Sequence, residues 1–545
     1  MNFIYSRQHL SAREQVLERL LEIVPGALSW SIIFGMVALS VARPLAAAII
    51  VIAFLLYWLL RLLYLNIFLV VSYIRLAVER HVPWGTRIEK LDRLDEYARE
   101  APAAQPQDFR NKNVPFLHFR QVMAFRNAGL RPPPSGEIYH LVIIPVIRES
   151  RDIIEPGIAG IVKGDYPSER ILVVIALEES APEQVKADVR KVAELYRKDL
   201  LDLFVSVHPG NIPGEARVKG ANATHAAKQA AAYFKERHIP YERVLVSCFD
   251  ADTVPTWDYF SCLTYHFMVT PQRTQASFQP IPVYHNNIWE APAFARVIDI
   301  GTSFFELVEA TNPNTLVTFS SHSMSFKALV DVGYWPVDMI SDDSAIFWKA
   351  FIHYDGEYRV VPIYTTVSMD IATGRTFWET CSNIYKQKRR WAWGVENFPI
   401  VVRAFLKSKK IPLGQKVVHG AKLLDAFVSW ATWSVLLTFV SWLPAVFAGQ
   451  EFASSTIYYT APRIRGTIFS LASIGILVCM LVSLALLPRR PGRQSLFSYV
   501  RHVVEWLFIP VIVLVFSALP ALDAQTRLLF GRTMEFWVTE KVRKR

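Results

Sequence analysis

Apolar positions along the chain fall into three regimes. Near the start they form two long runs, over 24–41 and from 45 into the sixties, separated by Arg43 and Pro44. Crossing a hydrocarbon layer of about 30 Å takes about 20 helical residues, so a hairpin of two membrane helices is expected. Arg61 interrupts the second run, which puts its far end along the interface. The preceding MNFIYSRQHLSAREQVLERLLE lacks the charged-then-apolar pattern of a cleaved leader and reads as a short, retained amphipathic helix.

From about 82 to 412 the pattern changes to short apolar strands alternating with amphipathic helices. IYHLVIIPVI (138–147), RILVVIAL (170–177) and RVLVSCF (243–249) read as buried strands. SAPEQVKADVRKVAELYRKDLLDLF (180–204), followed by a strand VSV, and ANATHAAKQAAAYFKERH (221–238) read as helices. Continuous apolar strands alternating with helices predict an α/β domain, a mainly parallel sheet with helices on both faces. RPPPSG (131–136) is a linker just before the first strand. Long apolar runs return at 423–447 and 467–487. A last stretch, 496–522, contains Pro510 and Pro520 and reads either as a fifth crossing or as a bent segment that lies in, or re-enters, the interface; the basic tail KVRKR favours the second.

Composition sharpens this picture. Of 545 residues 52% are apolar and 20% charged, and the net charge is +11. That charge does not point to nucleic acid, because many basic residues flank the apolar runs. Arg7, Arg13 and Arg19 precede the first run, and Arg75, Arg80, Arg87, Lys90 and Arg93 follow the second. Lys407, Lys409, Lys410, Lys416 and Lys422 precede the third, and Arg489, Arg490 and Arg493 follow the fourth. All are expected on the cytoplasmic side of a multi-pass plasma (inner) membrane protein, with the central domain in the cytoplasm; Arg463 and Arg465 fall on the other side. Cys248, Cys262, Cys381 and Cys479 form no CxxC pair and no zinc spacing, and are read as reduced and buried.

Three motifs carry chemistry. In SCFDADTVP (247–255) a buried strand runs into Asp250 and Asp252. Alternate residues leaving a strand tip point the same way, and the tip borders the ligand crevice of an open α/β sheet. Two hard oxygen donors there suit Mg²⁺ or Mn²⁺ completed by diphosphate and water; an acidic turn is the plainer alternative. In ISDDSAIFWKAF (340–351) Ser341 is an N-cap, with Asp342 and Asp343 in the first turn. Either the helix dipole favours these acids there, or one is a general base for an acceptor hydroxyl. In QKRRWAWG (387–394) Gln387, Arg390 and Trp391 share one helix face. Arginine can bind a diphosphate through two bonds and tryptophan can stack on a sugar, and the same pattern suits an interfacial helix. FWVTEK (536–541) is a fourth, weaker motif.

Together, Asp250-x-Asp252, Ser341–Asp342–Asp343 and Gln387-x-x-Arg390–Trp391 resemble the D,D,D,QxxRW signature of processive family 2 glycosyltransferases, the group of bacterial cellulose, hyaluronan and chitin synthases, and FWVTEK resembles the FxVTxK gating motif of cellulose synthase. The resemblance implies a GT-A domain inserted between transmembrane helices. It implies an inverting transfer of a sugar from a nucleoside-diphosphate sugar, a UDP-sugar above all, to a growing polysaccharide, coupled to export. It gives Asp252, helped by Asp250, the metal, Mg²⁺ or Mn²⁺; Asp343 the base; and Gln387 and Arg390 the diphosphate. Trp391 falls at the acceptor, and Lys219 and Asn222 of RVKGAN at the donor. Thr539 and Lys541 would cover the donor. Where the family has a DDGS-like turn this chain reads LEES, putting Glu178 in the nucleotide position; its FCGS-like acceptor segment reads FSSH, ending in His322.

The expected organisation is 1–80, an amphipathic helix and transmembrane hairpin; 81–412, a cytoplasmic GT-A domain with interfacial helices; 413–495, C-terminal transmembrane helices; and 496–545, an interfacial segment with the gating tail. The expected partners are a nucleoside-diphosphate sugar, a polysaccharide or glycolipid acceptor and the bilayer, with no nucleic acid; no motif specifies a protein partner. Two rivals share the pattern, a non-processive transferase acting on a lipid acceptor and a non-catalytic membrane scaffold.

Overall fold

The computed structural model describes residues 5, 10–100, 119, 122–488 and 504–534. They divide into two compact units. The first takes in the described residues of Ile74–Val283 and Glu309–Met369, the second those of Tyr5–Tyr73, Tyr284–Val308 and Asp370–Arg545. The region expected as one domain over 81–412 is therefore shared, since 284–308 and 370–412 group with the apolar helices.

The first unit is built on an eight-stranded sheet of β1 (Tyr139–Val146), β2 (Ile171–Glu178), β3 (Asp202–His208), β4 (Val244–Cys248), β5 (Val254–Pro255), β6 (Ala276–Val283), β7 (Ser323–Ser325) and β8 (Arg359–Ser368), in the order β3-β2-β1-β4-β7-β6-β8-β5. β3, β2, β1 and β4 pair in parallel, as do β6 and β8, whereas β7 runs antiparallel between β4 and β6, and β5 antiparallel to β8. The sheet is thus mainly parallel, with two short exceptions.

Burial explains the strand composition. Residues 171–177 of β2 and all of β4 are buried, as expected where helices cover both faces. Ile154, Ile158 and Ile161 of helix Arg151–Val162 and Phe260, Leu263 and Phe267 of helix Tyr259–Val269 join Val142, Ile144 and Val173 in one apolar cluster. His140 is enclosed with them; its Nε2 meets Thr264 Oγ1 at 2.8 Å, and burial holds its pKa down at about 3.

One helix expectation is corrected. Over 180–204 the helix covers only Glu183–Tyr196, and DLF (202–204) belongs to β3. Leu172 faces Asp202 in the parallel β2–β3 register. A short apolar run fits either element, and pairing with β2 decides it.

The second unit contains the apolar helices. Ala12–Ala42 is one helix, so the amphipathic leader segment and first span are continuous through Pro25. Its start is closed by Ser11, whose N–H donates to the Glu14 carboxylate at 3.0 Å. Pro44–Glu79 is also a single helix, which Arg61 does not end. Arg61 is absorbed by Asp425 at 2.9 Å and by the Trp433 ring, 4.3 Å from its guanidinium.

Among the described residues four helices are long and apolar enough to cross a membrane: Ala12–Ala42, Pro44–Glu79, Thr456–Leu486 and Trp506–Leu529. A fifth is Leu413–Thr438 with Val440–Val446, bent by 44°. The run at 423–447, expected as one span, is thus broken within the membrane-type helix, and the stretch expected to bend in the interface runs into a helix, Trp506–Leu529, long and apolar enough to cross. The described part of the last stretch is helical throughout. Pro510 and Pro520 each sit at the start of a helical turn, and a π-turn over Leu514–Ala518 absorbs the break. Gly26 lets this last helix approach closely, since a Cβ there would lie 2.8 Å from the Gln525 carbonyl.

All four cysteines are free. Cys248 and Cys262 are buried as expected, but Cys381 and Cys479 only partly so.

Candidate active site

The DxD pair leaves β4 in a turn rather than as strand. β4 ends at Cys248, Phe249 N–H donates to Ile143 O at 2.9 Å, and Thr253 N–H closes back on Asp250 O at 2.8 Å. The alternation expected of a strand tip therefore does not govern the two acids. Asp250 is one-third exposed, while Asp252 is wholly enclosed. The turn is braced from two sides. Gly157 admits the Thr253 carbonyl, which would stand 2.5 Å from a Cβ. Ser321, in a left-handed conformation (φ 60°), meets Thr253 Oγ1 at 2.8 Å, and Ser320 Oγ donates to Asp250 Oδ2 at 2.6 Å. A non-glycine residue held at positive φ is a cost that the surrounding contacts must offset.

Lys219 joins this turn to the second motif. It begins helix Lys219–Glu236, and its Nζ lies 2.9 Å from Asp250 Oδ1 and 3.0 Å from Asp343 Oδ1. Burial works against the ammonium, but Asp250 and Asp343 outweigh it and hold its pKa well above the usual lysine value. Gly220 makes the approach possible, because a Cβ there would lie 2.3 Å from Pro336 O and 3.1 Å from Asp342 Cβ. Ser341 stands at the N-cap of helix Asp342–His353 without a side-chain cap bond. Asp342 is buried, and Asp343 is about one-quarter exposed.

His322 closes the cluster. Its Nδ1 donates to Phe319 O at 2.9 Å and lies 4.0 Å from Asp343 Oδ1. Burial lowers its pKa despite the pull of Asp343, leaving a neutral ring whose buried Nε2 has no hydrogen-bond partner. The sequence placed His322 at the acceptor; the structure places it beside the expected base, fully enclosed.

The nucleotide-side residues lie at the neighbouring strand ends. Asn222 Nδ2 donates to Ala176 O of β2 at 2.7 Å, leaving its buried Oδ1 without a partner. Glu178, the last residue of β2, meets His208 Nδ1 at 3.1 Å, and His208 Nε2 meets Glu215 at 2.9 Å. Burial raises the Glu178 pKa, against the pull of His208. His208 and Glu215 were not legible beforehand, since only the β2–β3 register brings them to Glu178.

Gln387, Arg390 and Trp391 belong to the second unit, on helix Phe377–Ala392, which starts with a capping box of Thr376 and Glu379. Gln387 is buried with its Oε1 unpartnered. The intervening residues anchor the helix. Lys388 Nζ lies 2.7 Å from Asp299 Oδ1, and Arg389 lies 2.8 Å from Asp523. The signal for the first anchor was available, an aspartate inside the apolar run RVIDIGT. Thr539 and Lys541 lie outside the described residues.

The donor set bears on the expected metal. Among the described residues no three His, Cys, Asp or Glu side chains gather to hold an ion. Two carboxylates in one turn fit a Mg²⁺-like ion that keeps water and takes its remaining ligands from a diphosphate, and do not fit an all-protein cage.

Residues 245–488 match the family described as "Glycosyl transferase family group 2". The chain is 31% identical over 180 residues to the poly-beta-1,6-N-acetyl-D-glucosamine synthase of Staphylococcus aureus, a match covering 31% of this chain and 39% of that one. It is 29% identical over 185 residues to the Staphylococcus epidermidis protein of the same name, covering 32% and 41%. The matches thus span well under half the length of these relatives. A solved mannosyltransferase, PcManGT from Pyrobaculum calidifontis in complex with GDP-Man and Mn²⁺, aligns with TM-score 0.40 and 18% identity over 71% of this chain and 99% of that one. Residues 1–349 of S. aureus TarS in complex with UDP align with TM-score 0.34 and 12% identity over 62% and 90%.

Proposed function

We propose that this chain, which belongs through residues 245–488 to glycosyl transferase family group 2, moves a sugar from a nucleoside-diphosphate sugar to a growing polysaccharide with inversion at the anomeric carbon. The observation that carries the proposal is Lys219, whose ammonium gathers Asp250 of the DxD turn and Asp343 of the second motif within 3.0 Å. The acid read as the base and one acid of the pair read as the metal site thereby share one lysine.

In this reading Asp343 takes the proton of the acceptor hydroxyl as its oxygen attacks the anomeric carbon and the nucleoside diphosphate leaves. Lys219, with its ammonium 3.0 Å from that carboxylate, holds it in place at the first turn of helix Asp342–His353. Asp250 and Asp252 would hold Mg²⁺ or Mn²⁺, which supplies positive charge against the leaving diphosphate. Asn222 offers a buried acceptor and Glu178 a partly exposed one to the nucleotide, and by motif Gln387 and Arg390 bind the diphosphate while Trp391 stacks on the acceptor. The donor is a UDP-sugar, the class to which a UDP-N-acetylhexosamine belongs, in keeping with the relatives' names. The apolar helices anchor the enzyme in the plasma membrane, with the sheet unit on the cytoplasmic side.

The test uses the full chain in nanodiscs with a panel of UDP- and GDP-sugars and Mg²⁺ or Mn²⁺, following nucleotide diphosphate release and product length beside Asp343→Asn. Turnover lost in the variant, with a ladder of long products, supports a processive synthase. Single additions to lipid would assign the non-processive rival. No turnover and no nucleotide binding would leave only the scaffold.

A further inference from the structure

Lys388 is buried inside the QxxRW helix with 3% of its surface exposed, although its neighbours in the motif supply the expected chemistry. Its Nζ lies 2.7 Å from Asp299 Oδ1 and 3.0 Å from Thr302 Oγ1, both on helix Ala293–Glu309, and 3.8 Å from the centroid of the Trp391 ring. Asp299 is itself fully buried. Enclosing a lysine and an aspartate together is seldom the most stable way to fill a core, and apolar side chains of similar volume often do as well or better. What an apolar pair cannot do is present a fixed cation to an aromatic face.

We infer that Lys388 is a positioning residue for Trp391: the Asp299–Thr302 seat fixes its ammonium against the indole, holding the ring in the orientation in which it meets the acceptor. Residues 388 and 391 are three apart on a helix, so the contact is built into the motif helix itself. The Tyr284 ring, 6.4 Å from Trp391 and tilted by 37°, braces the same indole. The seat is separate from Gln387 and Arg390, so its loss should weaken acceptor binding and spare the donor. This inference rests on the transferase reading given above.

The experiment uses the full chain in nanodiscs, with UDP-N-acetylglucosamine as donor and β-1,6-linked N-acetylglucosamine oligomers as acceptor; if another sugar nucleotide is turned over instead, its own oligomers replace them. Four variants are compared: Lys388→Met with Asp299→Leu, which removes both buried charges; Lys388→Arg; Thr302→Val; and the double charge variant in a Trp391→Leu background. Calorimetry gives UDP and oligomer affinities, thermal unfolding reports the fold, and steady-state rates separate acceptor KM from kcat.

The expected result for the double charge variant is an unchanged unfolding midpoint, UDP affinity within about twofold, and acceptor KM raised about tenfold. Lys388→Arg should restore most of the loss, and the charge change should add nothing once Trp391 is gone. Thr302→Val keeps the ion pair and should shift acceptor KM in the same direction, which holds the test open if the charge variants unfold. An equal loss of UDP affinity, or an additive effect in the Trp391→Leu background, overturns the positioning role while wild-type turnover leaves the transferase reading standing. A wild-type chain that neither binds nor turns over any sugar nucleotide overturns that reading first.

Discussion

The Lys219 ammonium stands 3.0 Å from the Asp343 carboxylate although 124 positions separate them in the chain. Two glycines let the backbones approach where it matters. Gly220 seats the lysine's helix on Pro336 and Asp342, and Gly157 seats the DxD turn. The cluster is therefore a product of close backbone packing as much as of the charged side chains themselves.

Asp343→Asn removes the proposed base and leaves a side chain of the same shape. Turnover should fall by about 10²–10⁴-fold with UDP affinity kept within a fewfold, as measured by nucleotide diphosphate release and calorimetry. A variant that turns over normally would take Asp343 out of the mechanism.

Chelation should abolish turnover, and Mg²⁺ or Mn²⁺ should restore it. Because the DxD turn offers two carboxylates and the described residues hold no cage of three, metal should bind weakly alone and tightly in the presence of UDP. Titration of Mn²⁺ with and without UDP reads this directly; equal affinity in both would point to a resident ion.

Gly220→Ala puts a Cβ 2.3 Å from a carbonyl oxygen that belongs to the backbone and cannot swing aside. Overpacking of this kind costs about 1–3 kcal/mol and should displace Lys219. The unfolding midpoint and UDP affinity should fall together, whereas Gly301→Ala, where nothing lies within 4 Å of the added Cβ, should change neither.

Arg296 and Glu505 form a buried ion pair between helix Ala293–Glu309 and the start of the last helical run. Arg296→Met strands a buried carboxylate and should cost about 3–5 kcal/mol, while Arg296→Met combined with Glu505→Leu should recover most of it. Thermal unfolding of the two variants separates the pair's own contribution from the penalty of breaking it.

His140 and His266 are fully enclosed, and each has its pKa held at about 3, His140 by burial and His266 by burial with Arg75 and Arg87 adding. Both rings are neutral when folded and protonate near pH 6.5 when unfolded. Their contribution is complete above pH 6.5 and is lost as pH falls toward 3, at about 1.4 kcal/mol per pH unit for each ring. His140→Gln should make the decline in unfolding midpoint between pH 6.5 and pH 4 shallower; an unchanged slope would mean the ring is accessible to protons in the folded state.

Much of this molecule could be read from one dimension. The mostly apolar, near-continuous runs of β1, β2 and β4 have no period that could fit a solvated helix, and alternation with amphipathic helices left a mainly parallel sheet as the consistent arrangement. The long apolar helices follow from length alone, and the order of DxD, SDD and QxxRW resembles that of family 2 glycosyltransferases, in keeping with the family model matched over 245–488. The helix over 180–204 was overextended because DLLDLF satisfies either period, and a partner strand had to choose.

Local sequence determined which side chains carry charge and which runs are too apolar for water. Tertiary structure alone decided that Lys219 bridges Asp250 and Asp343, that His208 joins Glu178 to Glu215, and that Lys388 is anchored on Asp299. The physical reason is range. Propensity and periodicity act over a few residues, whereas the worth of a buried charge depends on a partner that only folding brings within about 3 Å.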